Sequence, residues 1–153
     1  DKVARENMSI AAYEAGVAIN TSPTTIVHGM SRPIGAVFHV PHGISNAMLL
    51  VECLRAVLSG AYSRFAELAV LVGAAQDGEE PKIASEKFLE KLEEFTKSLN
   101  VPTLREYGLD LQKFAQKEEK MASDSVASGS PANCYKVLSK EEQIAVYEIL
   151  RKK

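Results

Sequence analysis

Val27-His28-Gly29-Met30-Ser31-Arg32-Pro33-Ile34-Gly35-Ala36-Val37-Phe38-His39-Val40-Pro41-His42-Gly43-Ile44-Ser45-Asn46-Ala47-Met48-Leu49-Leu50 is the stretch on which the reading of this chain turns. All three histidines, His28, His39 and His42, fall inside it, among residues that interrupt helices. Thr24 or Thr25 is placed to cap a short helix running past His28. Pro33, inside that pattern, is expected to kink it, and Gly35 and Pro41-His42-Gly43 are further breaks. Neutral imidazole is the commonest ligand for borderline metals, so the clustering points to a metal or catalytic site. On an unbroken helix His28 and His42 would lie about 21 Å apart along the axis, at about 1.5 Å per residue. Ligands of one ion sit about 2.1 Å from it. A shared site therefore requires the helix to end and the chain to turn back before His42. Spacing alone leaves a second reading open, in which one histidine is buried and hydrogen-bonded and the others face solvent.

Outward from this stretch the pattern is helical throughout. Residues 2–19 place Ala4, Met8, Ala11, Ala12, Ala15, Ala18 and Ile19 at helical spacing. Asn20-Thr21-Ser22-Pro23-Thr24-Thr25 then breaks the helix, because short polar side chains compete for backbone hydrogen bonds. Downstream, Ala47, Met48, Leu50, Val51, Leu54, Val57 and Leu58 predict a helix over 45–58. A further helix over 63–75 is expected to bury Phe65, Leu68, Ala69, Leu71 and Val72. Residues 82–99 read as amphipathic, with Ile83, Phe88, Leu89, Leu92 and Phe95 on one side and Lys and Glu on the other. Asp110 is placed to cap a helix running to about Ala127, and Ser128-Gly129-Ser130-Pro131 is a loop. Ser139 with Glu142 forms a capping box for a last helix over 140–151. No β-branched run with period-two alternation occurs. The expectation is one all-α domain over 1–153, of about six or seven helices.

The chain has 153 residues, enough for one domain with a core. Its formal net charge of −2 offers nucleic acid or an anionic membrane no electrostatic footing. The apolar stretches read as too interrupted for a membrane span, and no charged region followed by an apolar one opens the chain as a signal peptide would. Cys53 lies in an apolar helical stretch and is expected in the core, while Cys134 lies in a loop; neither demands a disulfide, and a reducing cytoplasm is the default. No Gly-rich turn follows a strand, so no dinucleotide cradle is expected within this chain.

The segment Val27–Leu50 resembles the signature of the iron-containing (group III) alcohol dehydrogenases, in which a histidine before Gly-Met and a second in Pro-His-Gly both ligate the metal. His28 and His42 match both positions and their spacing. Lys120-Met121-Ala122-Ser123-Asp124 and Ala127-Ser128-Gly129-Ser130-Pro131-Ala132-Asn133 are similar to the loop before the family's last helix, and Val101-Pro102-Thr103-Leu104-Arg105-Glu106-Tyr107-Gly108 is similar as well. The resemblance implies the helical, metal-binding half of a two-domain enzyme. An N-terminal α/β domain, not in this chain, would bind NAD or NADP. The metal, Fe2+ or Zn2+ or another divalent ion, would polarise the oxygen of a small alcohol or aldehyde during hydride transfer. The family's other two ligands, an aspartate and a histidine four residues on, are expected ahead of this chain, since no Asp-x-x-x-His precedes His28. The chain alone is accordingly expected to be inactive. Homo-oligomerisation is left open.

Where many family members carry a histidine, four residues after the first ligand, this chain has Arg32. One helical turn from His28, its guanidinium cannot relay protons near neutral pH but can hold a carboxylate or phosphate in a fork. Arg32 is therefore expected to bind an anionic group of the cofactor or of a substrate acid, with pairing to an acid of the missing domain as the alternative. His39 matches no ligand position and reads as a surface residue or a pocket edge. Met30 and Phe38 read as core. Cys134-Tyr135 stands where the family often has Asn-Pro. The rival to an enzyme is a helical interaction or scaffold module derived from the family. An exposed apolar face where another domain would dock favours the enzyme part; a polar surface all round favours the independent module.

Overall fold

Four helix starts in this chain, at Asp1, Glu80, Asp110 and Ser139, are set by side chains that satisfy orphan backbone N–H groups. Asp110 accepts from the N–H groups of Gln112 (3.0 Å) and Lys113 (2.9 Å). Ser139 accepts from Glu142 N (3.2 Å) while the Glu142 carboxylate accepts from Ser139 N (2.8 Å), completing the capping box. Glu80 caps the helix that opens with Pro81, accepting from Ile83 N at 2.9 Å. The computed structural model, which describes all residues Asp1–Lys153, has seven α-helices and no strand. They are α1 (Lys2–Thr21), α2 (Ile26–Phe38), α3 (His42–Val57), α4 (Tyr62–Leu71), α5 (Pro81–Ser98), α6 (Leu111–Ala127) and α7 (Lys140–Lys152). Short 3-10 turns occupy Leu58–Gly60 and Ser130–Asn133.

Helices α2, α3, α6 and α7 form the body, and α4 and α5 pack as a hairpin joined to it through α3. Met30, Ile34, Leu49, Cys53, Phe114, Met121 and Tyr147 are fully buried at its centre. Phe114 links two aromatics, stacking on Phe38 (centroids 5.6 Å apart) and meeting Tyr147 edge-on (5.7 Å). The Tyr147 hydroxyl donates to the Met30 carbonyl at 2.6 Å, tying the last helix to the one that carries His28. Burial raises the pKa of this phenol and of the Cys53 thiol. Cys53 and Cys134 are both free.

α2 continues through Pro33 and ends at His39, whose left-handed backbone (φ 57°) lets its N–H reach the Gly35 carbonyl at 2.9 Å. Two sequence expectations change. α4 buries only Phe65 and Ala69; Leu68, Leu71 and Val72 face out, as do Ile83 and Phe95 of α5, because the α4–α5 hairpin has one covered side. The stretch His42–Gly60, 19 residues at mean hydropathy 1.2, is long and apolar enough to cross a membrane, contrary to the reading of interrupted stretches. Here it forms α3 and the following turn, with Met48, Leu49, Cys53, Val57 and Leu58 in the core. α1 differs from every other helix in having no buried residue.

Candidate metal centre

His28 lies in the first turn of α2, and His42 is the first residue of α3, three residues before the helix start read from the sequence. Three residues connect the helices. After the left-handed turn at His39, Val40 and Pro41 run back beside α2. The Val40 carbonyl comes within 3.3 Å of where a Cβ on Gly35 would sit, so the return path hugs the helix at a residue with no side chain. α3 consequently starts alongside α2, and the chain reversal required for a shared site is present.

The His28 and His42 ring centroids are 5.2 Å apart, with the ring planes tilted by 51°. An imidazole nitrogen lies about 2.1 Å from an ion it ligates and the ring centroid roughly 1.1 Å beyond, so two rings at a tetrahedral angle have centroids about 5.2 Å apart. The spacing therefore fits two ligands of one divalent ion. No third His, Cys, Asp or Glu joins them. His28 is half-buried, and its pKa is lowered from the ordinary 6.5 by that burial first, then by the neighbouring His42 and Arg32. A lowered pKa keeps the imidazole in its neutral, metal-binding form to lower pH.

Two residues not singled out in the sequence surround the pair. Asn46, one turn after His42 on α3, holds its amide nitrogen 3.0 Å from His42 Nε2. The Ser31 hydroxyl, one turn after His28 on α2, donates to the Asn46 amide oxygen. Their positions three and four residues from the histidines were the available signal, since those spacings share a helix face. Arg32 is exposed and makes no ion pair with any carboxylate of this chain. Its Nη1 donates to Ser130 Oγ at 3.3 Å, and Ser130 Oγ lies 3.1 Å from Thr24 Oγ1. The Ser130–Asn133 turn is pressed onto α2 at Gly29, where a Cβ would come within 2.7 Å of Pro131. Asn133 then donates to the Thr24 carbonyl at 2.9 Å.

A cavity of about 200 Å³ opens beside His28, lined by Ala18, Ile19, Pro23, Thr24 and Thr25 at the junction of α1 and α2. A larger one of about 310 Å³, between α3, α5 and α7, holds no histidine. Its charged rim is already paired, Glu52 with Lys153 at 2.6 Å and Glu93 with Lys97 at 2.9 Å. His39 is exposed and serves as the C-cap of α2, apart from the pair.

A family model described as Fe-containing alcohol dehydrogenase family, C-terminal, matches residues 1–151. The chain is 30% identical over 149 residues to an NADPH-dependent butanol dehydrogenase of Clostridium saccharobutylicum, covering 97% of this chain and 38% of that protein. It is 32% identical to a 1,3-propanediol dehydrogenase of Klebsiella pneumoniae, covering 84% of this chain and 33% of that protein. The chain thus spans little more than a third of the length of the curated relatives it matches. An alcohol dehydrogenase from an archaeal, halo-thermophilic Red Sea brine pool source has the same fold, with a TM-score of 0.86 at 23% identity over 98% of this chain and 38% of its own.

Proposed function

The chain belongs to the iron-containing alcohol dehydrogenase family, matching its C-terminal part, and from that premise we propose that it is the metal-binding helical part of an NAD(P)-dependent alcohol dehydrogenase or aldehyde reductase. The observation that carries this reading is the 5.2 Å spacing of the His28 and His42 rings, which suits two ligands of one ion. His28 and His42 hold the ion from one side, and the remaining donors, an aspartate and a histidine four residues on, lie ahead of this chain. A divalent ion held there, Fe2+ or Zn2+, supplies Lewis-acid polarisation of an alcohol or carbonyl oxygen. NAD or NADP, bound mainly by the other domain, supplies hydride exchange with the substrate carbon.

The residues of this chain divide the remaining work. The apolar walls of Ala18, Ile19 and Pro23 beside His28 accept the apolar part of a small alcohol or aldehyde. The Arg32 guanidinium, free of carboxylates within the chain, binds an anionic group of the cofactor on the face shared with His28. The apolar residues exposed on α1, among them Met8, Ile10, Tyr13 and Ile19, favour an enzyme part with a docking partner over a self-sufficient scaffold module.

The test uses the protein expressed from its complete reading frame. The expected result is about one divalent ion per chain, alcohol-dependent reduction of NAD+ or NADP+, and loss of both in His28→Ala and His42→Ala. Arg32→Gln should retain the metal while raising KM for the cofactor or for a carboxylate-bearing substrate. Metal content that survives both histidine substitutions would overturn the assignment.

A further inference from the structure

The two helices that carry the histidines are joined, next to the rings, by a polar bridge. Ser31 is fully buried, and its hydroxyl has an acceptor on each side. It donates to the Asn46 amide oxygen and lies 3.4 Å from the His28 carbonyl. The Asn46 amide nitrogen in turn meets His42 Nε2 at 3.0 Å. His42 is exposed at the first position of its helix, and its ring meets the His28 ring, at a centroid distance of 5.2 Å, and the Asn46 amide. The bond from Asn46 is thus the directional contact on the ring, and Asn46 is in turn held by Ser31 on the opposite helix. A buried hydroxyl facing only apolar atoms would cost about 1–3 kcal/mol, so the partnership is strongly specified. An amide can also be turned over with little movement of heavy atoms, presenting oxygen in place of nitrogen. The same clamp then accepts from a ring N–H, the arrangement that orients metal-bound histidines and raises their basicity.

We infer that Asn46, held by Ser31, is a positioning residue that orients the His42 imidazole for metal binding and sets the distance between the two histidine helices. The inference rests on the reading of His28 and His42 as metal ligands. Ser31 and Asn46 act through His42.

The experiment measures Zn2+ affinity of the full-length protein against a chromophoric chelator, with the thermal midpoint of the metal-free protein as a control. Asn46→Ala is expected to weaken Zn2+ binding about 10- to 100-fold, the usual cost of removing an outer partner of a ligating histidine, with the metal-free midpoint lowered only as far as the orphaned Ser31 hydroxyl accounts for. Asn46→Asp keeps the shape and an acceptor for the ring N–H and should recover most of the loss. Ser31→Ala should weaken binding in the wild-type background and have no further effect on top of Asn46→Ala, because its action passes through the amide. Ser31→Ala alone reads the same coupling if Asn46→Ala fails to fold. Wild-type affinity in both Asn46→Ala and Ser31→Ala overturns the inference and leaves the metal centre standing. A wild-type protein that holds no Zn2+ overturns the metal centre, and the inference with it.

Discussion

α1 and α2 are consecutive helices that both carry apolar residues at helical spacing, α2 more densely, and the fold treats them in opposite ways. α2 buries seven of its thirteen residues, from Ile26 to Ile34, against α3, α6 and the Ser130–Asn133 turn. α1 is longer, at twenty residues, and buries none. Val3, Ile10, Tyr13 and Val17 run down one of its sides and Met8 and Ile19 lie on another, all of them exposed. A helix that is apolar on several sides is ordinarily enclosed. The solved archaeal dehydrogenase aligns over 98% of this chain, α1 included, so the placement of α1 recurs in a protein of which the chain covers only 38%. Apolar periodicity therefore reports that a helix is destined for burial; it does not say whether the covering atoms belong to the same segment of sequence.

The contrast can be broken most sharply by truncating one isoleucine in each helix. Ile34 is fully buried and Ile10 is 57% exposed. Ile34→Ala should lower unfolding free energy by about 2–5 kcal/mol, and Ile10→Ala by less than about 0.5 kcal/mol. Denaturant titration of this chain measures both, and equal losses would mean that α1 packs in solution against something within the chain.

A pair of glycines sharpens the same point at smaller scale. In α2, a Cβ on Gly29 would stand 2.7 Å from Pro131 Cγ and 3.0 Å from Ser125 Oγ. Gly29→Ala should cost about 1–3 kcal/mol through overpacking, and because Gly29 follows His28 it should also disturb the ring spacing. In α1, a Cβ on Gly16 would meet nothing within 4 Å. Gly16→Ala should stabilise by about 0.5–1 kcal/mol, from lost backbone entropy in the unfolded chain. Thermal melts of the two variants are expected to shift in opposite directions.

The smallest effect concerns charge. Burial, His42 and Arg32 hold the His28 pKa below its ordinary 6.5. The unfolded chain then takes up this proton before the folded one, so the stability present above about pH 6.5 is lost as pH falls through the folded-state value. Histidine ring resonances followed by NMR should titrate at His28 below 6.5, and Arg32→Gln should move that midpoint upward. A midpoint unmoved by Arg32→Gln would show that the guanidinium does not act on the ring.

Most of the architecture is legible in the residues because it is written in local chemistry. The Asp110 cap and the Ser139–Glu142 box are satisfied within three residues of chain, so no distant contact was needed to find them. The same holds for the all-α class, since seven apolar helical repeats and no alternating run leave no strand to pair. The pairing of His28 with His42 was legible through family likeness, while spacing left it open. Other features depend on atoms far apart in sequence. Whether Leu71 or Ile34 ends up covered, how Arg32 reaches Ser130 across 98 positions, and that Ser31 would clamp Asn46 onto His42 follow from which helix lies against which. Periodicity names a face, and a hydrogen-bonding side chain names a capability; the partner that meets either is chosen when the chain packs, because burial and hydrogen bonding are satisfied between neighbours in space.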